Sequence, residues 1–573
     1  MSGAAARAWG RVRPLLPGRA DLDAARRDPK RDLLAGLTVA VVALPLALGF
    51  GVSSGLGAEA GLATAVVAGA LAAVFGGSNL QVSGPTGAMT VVLVPIVAEH
   101  GPGGVLTVGL LAGVLLLALA LLRAGRCVRY IPAPVVEGFT LGIAGVIALQ
   151  QVPGALGVST PEGDRVLVVA WRAVRDFAAS PAWASLAVAL GVAAIVLAGA
   201  HRRPTVPFSV LAVAAATAVV PLAGLDGVRP IGELPAGLPA PSLGFLDLSA
   251  VGPLLAPAVA VAALAALESL LSASVADGMT DGERHDPDRE LFGQGLANLA
   301  APLFGGVPAT AAIARTAVNV RCGASSRLAA LSHAAVLAVV VFAAAPLVSR
   351  IPLAALAGVL LATAVRMVEV GALRAMARAT RSDAFVLVLT ALATLLLDLV
   401  QAVIIGLLVA GALALAAVAR QARVDRVDLR PALPGDHTEE EHALLAEHIV
   451  AYRLDGPLFF AGAHRFLLEP AEAATDVRVV VLRMSRVLTV DATGALVLRD
   501  AVERLARRGV VVMASGIRPE QRRVLGSVGV LGALAASGGE FPTTAEAVAA
   551  ARSGLHEAGL LPGAGNPSVP TRK

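Results

Sequence analysis

Apolar runs separated by short polar or basic loops extend along the chain from about residue 33 to about residue 418. A helix that crosses a membrane needs about 20 apolar residues, and this pattern predicts about fourteen segments, several of them too short to cross alone. A short segment must end against protein or a water-filled cavity, because lipid cannot satisfy free backbone groups. The segments are 33–50, 60–75, 84–98, 104–122, 134–150, 181–200, 207–224, 251–276, 291–303, 310–320, 328–348, 351–365, 383–398 and 400–418.

The composition agrees with a polytopic membrane protein that carries a soluble part. Hydrophobic residues make up 56% of the chain and charged residues 15%, whereas a soluble domain carries roughly 25% charged residues. Two cysteines far apart in sequence, Cys127 and Cys322, exclude a disulfide scaffold, and without a Cys/His cluster we expect no metal site. The sequence contains no phosphate-binding loop of the Gly-x-x-x-x-Gly-Lys type. We therefore expect no cofactor, no ATP-driven pumping and no enzymatic activity.

Arginine placement predicts the orientation. Basic loops face the cytoplasm, and the arginine clusters all follow even-numbered segments, so both termini are predicted to be cytoplasmic in a bacterial-type cell membrane. The clustered arginines are Arg123, Arg126, Arg129, Arg202, Arg203, Arg284, Arg289, Arg321, Arg327, Arg366, Arg374, Arg378, Arg381, Arg420 and Arg423. The net charge of +5 comes without basic clusters that carry aromatic partners, so we expect no nucleic-acid binding.

One loop departs from this charge rule. Residues 151–180, which follow the fifth segment, contain Arg165, Arg172 and Arg175. We interpret this loop as an amphipathic helix at the membrane interface.

A weak internal repeat relates the two halves of the predicted membrane region. The tripeptide Phe75–Gly77 ends the second segment, and Phe304–Gly306 ends the ninth; Leu33–Ala35 opens the first segment and Leu254–Ala256 the eighth. Seven segments separate the copies, and an odd number inverts the second copy in the membrane. Inverted repeats with paired short, Gly/Pro-interrupted helices are typical of secondary transporters with a site near the bilayer midplane.

The interrupted stretches are Gln81–Thr90 and Val307–Thr316. Each contains a proline, and the backbone before a proline is extended while proline itself fits the first turn of a helix. If the two helix starts face each other, their free N–H groups and positive dipole ends form an anion site. The alternative is two ordinary kinked helices that use glycine for packing.

Two ionisable residues fall within predicted segments. Arg315 presents a planar donor fork suited to carboxylate, sulfate or bicarbonate; alternatively it snorkels to the cytoplasmic surface, as Arg321 is better placed to do. Glu268 shares a helix face with Ser272, and an ionisable group within a span is by default a functional hypothesis. Ionised Glu268 would neutralise Arg315, whereas protonated Glu268 would leave it free to bind an anion, which would couple protons to anions. A purely structural Glu268–Arg315 ion pair is the alternative.

At these residues the chain resembles the SulP family of anion transporters. The resemblance covers about residues 32–550 and is carried by Ser83–Thr86, Glu268–Leu271, Gly293–Asn298 and Ala309–Arg315. It implies an all-α membrane domain of about fourteen segments in a seven-plus-seven inverted repeat. It also implies core and gate domains, elevator-like movement of the core, a homodimer and a cytoplasmic α/β STAS domain. The site residues that it implies are Pro45, Leu46, Thr86, Gly87, Ala88, Glu268, Ser272, Ile313, Ala314, Arg315 and Thr316.

The resemblance leaves the substrate open among sulfate, bicarbonate, chloride and C4-dicarboxylates. The sodium-coupled bicarbonate carriers of the family have Asp at the position of Glu268 and no arginine matching Arg315. The Glu–Arg combination is more similar to proton-coupled members, so we expect a proton rather than sodium as the coupling ion. The alternatives are a sodium-coupled bicarbonate symporter, a carrier similar to nucleobase permeases, and an anion-sensing receptor that signals through its soluble domain.

The composition turns polar after the last segment. We predict a lead-in at 1–32, the membrane domain at 33–418, a linker at 419–446, a STAS domain at 447–555 and a flexible tail at 556–573. Strand patterns at 449–454, 458–461, 477–482 and 510–514 alternate with helical patterns at 491–508, near residue 520 and near residue 545. This order indicates an α/β domain.

The run 481–494, which ends in Asp491–Gly494, resembles the STAS signature loop. The resemblance implies regulatory phosphorylation at Thr493 and a possible cytoplasmic partner. Helix capping by Asp491 and Thr493 explains the same residues.

Overall fold

The structure of the chain is a computed structural model, and it describes residues 12–126, 131–161, 165–203, 206–225, 227–233, 237–247, 249, 251–280, 284–397, 399–420, 423–427, 447–459 and 477–561. The chain divides into two compact units, Met1–Ala410 and Gly411–Lys573. The first unit is almost entirely helical, and the second contains a mixed sheet covered by helices.

Helices account for nearly all of the first unit because its apolar runs lack interior breakers at most positions. Its helices, with the last one ending in the second unit, are α1 (Arg19–Arg27), α2 (Pro29–Ser53), α3 (Ala58–Phe75), α4 (Gly87–Leu121), α5 (Ala133–Gln150), α6 (Val152–Leu156), α7 (Val166–Ala179), α8 (Trp183–Arg202), α9 (Phe208–Leu222), α10 (Val251–Gly278), α11 (Pro287–Ala300), α12 (Ile313–Arg321), α13 (Arg327–Ala343), α14 (Ala345–Val348), α15 (Leu353–Met367), α16 (Val370–Ala379), α17 (Arg381–Leu396) and α18 (Leu399–Arg420). Two-residue strands β1 (Ser83–Gly84) and β2 (Thr310–Ala311) interrupt this series.

The helices confirm the polytopic membrane fold, and each predicted segment falls on a helix. Within the described residues, eight helices are long and apolar enough to cross a membrane. The third and fourth segments both lie within α4, as two helices that meet at a break at Gly101, where φ is 67°. The loop 151–180 contains the short helix α6 and the longer helix α7.

Helix pairing groups the first unit into two sets. Helix α4 packs on α10 and α11, and α3 packs on α11 and α13. In the other set, α5 packs on α17 and α8 packs on α15. Small residues allow close backbone approach within the first set: a Cβ on Gly293 would lie 2.4 Å from the Gly76 amide nitrogen. This grouping follows the division into core and gate that the resemblance implies.

The second unit contains a five-stranded sheet with strand order β3-β4-β5-β6-β7. Strand β3 is antiparallel to β4, and the remaining pairs are parallel. Parallel pairs need crossover connections, and the described crossovers are helices. The elements are β3 (Arg423–Val427), β4 (Ile449–Leu458), β5 (Val479–Val490), α19 (Ala492–Arg507), β6 (Val511–Ser515), α20 (Pro519–Ser527), α21 (Val530–Ser537), β7 (Glu540–Phe541) and α22 (Thr544–Glu557).

The boundaries of this unit differ from the predicted ones at both ends. Strand β3 lies inside the predicted linker 419–446. Its charges indicated a solvated segment, but edge strands tolerate charge, and Asp425 accepts a hydrogen bond of 2.9 Å from Arg453 on β4. The predicted tail 556–573 also begins too early, because Leu561 is buried against the sheet. Residues 428–446 and 562–573 of these two segments lie outside the described residues.

Strand lengths in this unit also differ from the predictions. The strands predicted at 449–454 and 458–461 are one strand through Leu458, because Gly456, at φ 92°, lies at an irregularity that the pairing of β4 with β5 absorbs. The buried strand predicted to end at residue 482 continues to Val490. Most of the signature run 481–494 is therefore strand rather than loop.

Candidate functional site

The two interrupted stretches meet in an antiparallel pair. Ser83 lies opposite Ala311, and Gly84 opposite Thr310. Helix α4 begins three residues after β1, at Gly87, and α12 begins two residues after β2, at Ile313. The pair therefore holds the starts of two helices next to each other, although more than 200 residues separate them in sequence.

The first amide groups of both helices donate no hydrogen bond within the described residues. Among the hydrogen bonds of the described residues, none is donated by the backbone N–H of Gly87 or Ala88, or by that of Ile313 or Ala314. Free N–H groups and the positive end of the helix dipole favour an anion at such a position. Two adjacent starts double the number of available donors.

Arg315 lies between the two starts. It is the third residue of α12, only 1% exposed, and its Nη2 atom donates a hydrogen bond of 2.8 Å to the Pro85 carbonyl oxygen. Gly84 makes room for the guanidinium: its φ is 154°, and a Cβ there would lie 2.7 Å from Nη1 of Arg315. An arginine that snorkels to the membrane surface has an exposed side chain. This describes Arg321 at the end of the same helix, but not Arg315.

Glu268 reaches the same place from α10. Its Oε2 atom accepts a hydrogen bond of 3.0 Å from the Thr86 hydroxyl, and the side chain is half-buried. Thr86 also caps α4, since its hydroxyl oxygen accepts from the Met89 amide at 3.3 Å. One hydroxyl group therefore links a carboxylate to a helix start.

The structural ion pair between Glu268 and Arg315 is absent from the described residues, where no pair of their charged atoms lies within 4.0 Å. The consecutive residues Pro85 and Thr86 lie between them, because Pro85 accepts from Arg315 and Thr86 donates to Glu268. This spacing leaves the charge of the guanidinium uncancelled by direct contact.

The other predicted site residues fall into an exposed and a buried group. Ile313 and Ala314 are exposed at the start of α12. Ser272 and Thr316 are completely buried and bond to each other at 3.0 Å, and Thr316 accepts from the Val82 amide. Four further predicted site residues have no polar side chain and are buried: Pro45, Leu46, Gly87 and Ala88. Ser272 and Thr316 thus connect α10 and α12 to the chain just before β1.

Helix α5 closes over the start of α4. A Cβ on Gly87 would lie 2.2 Å from Cδ1 of Ile147 and 3.1 Å from the ring of Phe50. The two helix starts therefore differ in access, because one is covered by an apolar side chain and the other is open.

A buried polar network behind the strand pair was not predicted from sequence. Gln294 donates to the Ser83 hydroxyl at 2.6 Å, and Asn298 bonds to both the N–H and the carbonyl of Ala309. Ser269 bonds to the Thr310 hydroxyl and to the Ala311 amide. The sequence could have indicated this network, because Gln294 and Asn298 are four residues apart and therefore lie on one face of an apolar helix.

Ion pairs anchor the N-terminal helix outside the spans. Asp21 on α1 bonds to Arg289 at 2.8 Å and to Arg327 at 2.9 Å. Partial burial raises the pKa of the Asp21 carboxyl, but hydrogen bonds and charges from these arginines lower it more, to about 2. Asp32 in α2 accepts hydrogen bonds from the backbone amides of Ser325 and Ser326, which directly precede α13.

Cavities adjoin the helices of the site. One, of about 630 Å³, is lined by residues at the end of α10, among them Ser274 and Asp277. Another, of about 570 Å³, lies between α2 and α4 on one side and α5 to α8 on the other, where Ser53 and Gln151 bond to each other.

In the second unit, Asp491 caps α19 by accepting from the Gly494 amide at 2.7 Å. Thr493 lies exposed in the first turn of this helix. The capping explanation therefore holds for Asp491, whereas the hydroxyl of Thr493 remains accessible.

The fold defines a polytopic membrane protein, and its paired helix starts with a buried arginine are chemically suited to hold a small anion. Family models agree with this class: the model of the sulfate permease family matches residues 30–390, and that of the STAS domain matches residues 443–547. The chain belongs to the sulfate permease family, with a C-terminal STAS domain.

Relatives carry the names of sulfate and bicarbonate transporters. The protein named putative sulfate transporter YvdB, of Bacillus subtilis, is 35% identical over 513 residues that cover 87% of this chain and 94% of YvdB. The bicarbonate transporter BicA of Picosynechococcus sp. is 31% identical over 522 residues, covering 87% and 90% of the two chains.

Solved structures show the same fold. The transmembrane domain of a cyanobacterial BicA matches 67% of this chain and 98% of its own length, with a TM-score of 0.60 and 32% identity. The structure of SLC26A9 matches 97% of this chain and 95% of its own, with a TM-score of 0.80 and 18% identity. The fold thus extends over both units.

Proposed function

We propose that the chain is a secondary active transporter that moves a small anion together with a proton. The candidate anions are sulfate, bicarbonate and C4-dicarboxylates. Family membership supports anion transport, and the names of the relatives support sulfate and bicarbonate. Proton coupling is our inference from the residues at the site.

The observation that carries the proposal is the position of Arg315 between two free helix starts. An anion that enters there would receive backbone N–H groups from both helices and charge from a guanidinium that no carboxylate contacts directly. Charge-assisted hydrogen bonds of this kind are roughly twice as strong as neutral ones. A neutral substrate such as a nucleobase would gain much less, which speaks against a permease of that type.

Glu268 is the proposed proton-coupling residue. When ionised, it accepts from the Thr86 hydroxyl and places a negative charge next to the anion site. When protonated, it removes this charge and strengthens anion binding. Proton and anion then increase each other's affinity by the same factor, as linkage requires.

The proposed transport cycle is an elevator-like movement of the α2–α4 and α10–α13 set against the set that includes α5 and α8. The cavity between α2, α4 and α5 and the cavity at the end of α10 would provide access from opposite sides. We further propose a homodimer in a bacterial-type cell membrane with both termini in the cytoplasm. The exposed Thr493 is the proposed regulatory position on the STAS domain, where a cytoplasmic partner would bind.

A specific observation favours one other candidate, a sodium-coupled bicarbonate symporter. The chain is 31% identical to BicA of Picosynechococcus sp. over almost its full length. A cation at the site would lie close to the buried guanidinium of Arg315, which would repel it. We therefore prefer the proton.

The test is uptake of labelled sulfate, bicarbonate and succinate into proteoliposomes, with and without an inward proton gradient. Proton-stimulated uptake of one of these anions is expected, without dependence on sodium. Sodium-driven bicarbonate uptake would support the second candidate. Anion binding without flux would instead identify a sensor, and uracil flux would identify a permease.

Glu268→Gln tests the coupling step. This variant imitates the protonated form, so it should retain anion binding but lose the stimulation by protons. Glu59→Gln is a matched control, because Glu59 is an exposed carboxylate at the start of α3. Proton-driven uptake by Glu268→Gln at the wild-type level would refute the assignment of this residue.

A further inference from the structure

Helix α7 carries an apolar stripe that no other part of the described chain covers. Leu167, Trp171 and Val174 recur at helical spacing and are 42%, 71% and 45% exposed. The adjoining face, with Ala170 and Ala173, is buried against the protein. The helix is therefore fixed on one side and open on the other.

Aromatic residues concentrate at this place. The whole chain contains three tryptophans, and two of them are Trp171 on α7 and Trp183 at the start of α8. Trp183 is 66% exposed, and its ring packs edge-to-face on Phe177 of α7, with 5.2 Å between centroids. Tryptophan is enriched where a membrane meets water, since its ring is apolar and its N–H is polar.

Basic side chains flank the apolar stripe. Arg172 and Arg175 lie on one edge of it and are exposed, and Arg165 precedes the helix. Asp176 lies 3.8 Å from Arg175 but is itself 48% exposed, so this pair is a weak surface contact. A helix with an apolar stripe beside arginines is complementary to a bilayer surface that carries phosphate groups.

The neighbouring helices bring α7 to the level of a membrane surface. It lies between the candidate span Ala133–Leu156, formed by α5 and α6, and α8, whose span begins at Trp183. On its inner side, Val166 and Val169 line the cavity of about 570 Å³ that also contacts α2 and α4. The same helix thus has lipid-facing residues and residues that face a proposed access route.

We propose that α7 is a lipid-binding helix, which inserts Leu167, Trp171 and Val174 into the bilayer surface and binds anionic phospholipid headgroups through Arg172 and Arg175. The arginines of this loop then bind phosphate, which explains why they depart from the charge rule that the other loops follow. The occupant is a phospholipid headgroup layer, and the inference needs only that the chain spans a membrane.

The first test uses the full chain with one tryptophan. The variant Trp9→Phe/Trp183→Phe retains Trp171 alone, and Trp9→Phe/Trp171→Phe retains Trp183 as a second probe of the same surface. Each is reconstituted into phosphatidylcholine liposomes whose acyl chains are brominated at a shallow or a deep carbon. Trp171 fluorescence should be quenched, and more strongly by the shallow bromines.

Other outcomes would overturn the proposal. Quenching by aqueous iodide instead of bromolipid would place Trp171 in water. Protection from both quenchers would show that protein covers the stripe, as in a contact with a second copy of the chain. Neither measurement depends on an anion or a proton gradient, so failure of the proposed transport function would leave the result intact.

The second test measures headgroup preference. Brominated phosphatidylglycerol should quench Trp171 more than brominated phosphatidylcholine, and this preference should fall about fivefold for each arginine replaced in Arg172→Gln and Arg175→Gln. The matched control is Arg202→Gln/Arg203→Gln, at the other end of α8. This variant should leave the preference of the quenching for phosphatidylglycerol unchanged. An equal preference in the wild type and in the double variant Arg172→Gln/Arg175→Gln would refute headgroup binding by these side chains.

Discussion

The two helix starts at the site have the same backbone arrangement but different side chains. At the start of α4, the Thr86 hydroxyl caps the helix, and Ile147 and Phe50 cover Gly87. At the start of α12, no side chain caps the helix, and Ile313 is 39% exposed. Each start follows a two-residue strand of the same antiparallel pair.

On the proposed function, this difference would separate two tasks that one anion site has to perform. The second start supplies a permanent positive charge, because arginine stays protonated at any physiological pH. The first start supplies a connection to a group that can change its charge, through the hydrogen bond between Thr86 and Glu268. On that proposal, the start that carries Arg315 would bind the anion, and the start linked to Glu268 would couple binding to the proton.

The largest effect is expected when the charge of the second start is removed. Arg315→Leu loses the guanidinium and leaves the Pro85 carbonyl without its donor, so anion binding should weaken roughly 10- to 100-fold. Binding of the transported anion to purified protein measures this, together with uptake. Arg321→Leu is the matched control and should bind normally. Wild-type affinity in Arg315→Leu would show that the guanidinium does not contact the anion.

Removing the coupling hydroxyl of the first start should have the next largest effect. Thr86→Val keeps the side-chain shape but deletes the helix cap, worth about 1 kcal/mol, and the donor to Glu268. An ionised carboxylate without its donor is less favourable, so half-maximal proton-driven uptake should shift to higher pH. Thr86→Ser should restore the wild-type profile.

Thr380→Val serves as a control for that measurement, because Thr380 caps α17 by accepting from the Asp383 amide and lies away from the site. It should change thermal stability without changing the pH profile. An identical pH profile in Thr86→Val and the wild type would mean that the two helix starts do not differ in coupling.

The difference in access between the starts can be tested by steric substitution. Gly87→Ala places a Cβ against Ile147, and overpacking of this kind costs about 1–3 kcal/mol. Uptake should fall and should recover in Gly87→Ala/Ile147→Ala. At the open start, Ile313→Ala removes an exposed side chain and should change uptake little. Equal effects of Gly87→Ala and Ile313→Ala would contradict the asymmetry.

The smallest effect is expected at the anchor of the N-terminal helix, where Asp21 joins α1 to the first turns of α11 and α13. Asp21→Asn should lower stability by less than about 1 kcal/mol at neutral pH, because the group is partly solvated. The pKa of Asp21 is about 2 in the folded protein, below its ordinary value of about 3.9. Its contribution is therefore complete above pH 4 to 5 and disappears as the pH falls through about 2.

Thermal unfolding of the detergent-solubilised protein at several pH values measures this contribution. The difference between wild type and Asp21→Asn should stay constant at pH 5 and above and shrink below about pH 4. A difference that grows on acidification would show that the arginines do not stabilise the charged form.

Much of this protein follows from its sequence. Runs of apolar residues have few ways to satisfy the backbone in lipid other than helices, which is why each predicted segment falls on a helix. Proline and glycine predict the positions of the two interruptions. Arg315 and Glu268 are candidate functional residues because ionisable groups are rare within spans. Local pattern was less informative at β3, where charges typical of a solvated linker occur on an edge strand.

Only the tertiary structure decided which residues meet. The pairing of β1 with β2 brings together segments from the two halves of the membrane domain, and the choice of partner strand depends on long-range packing. The tertiary structure also places Pro85 and Thr86 between Glu268 and Arg315, and Ile147 over the start of α4. It further shows that Gln294 and Asn298 form hydrogen bonds to the chain at β1 and β2. A sequence specifies what each side chain can bond to, but distances between helices are set by how all their surfaces pack together.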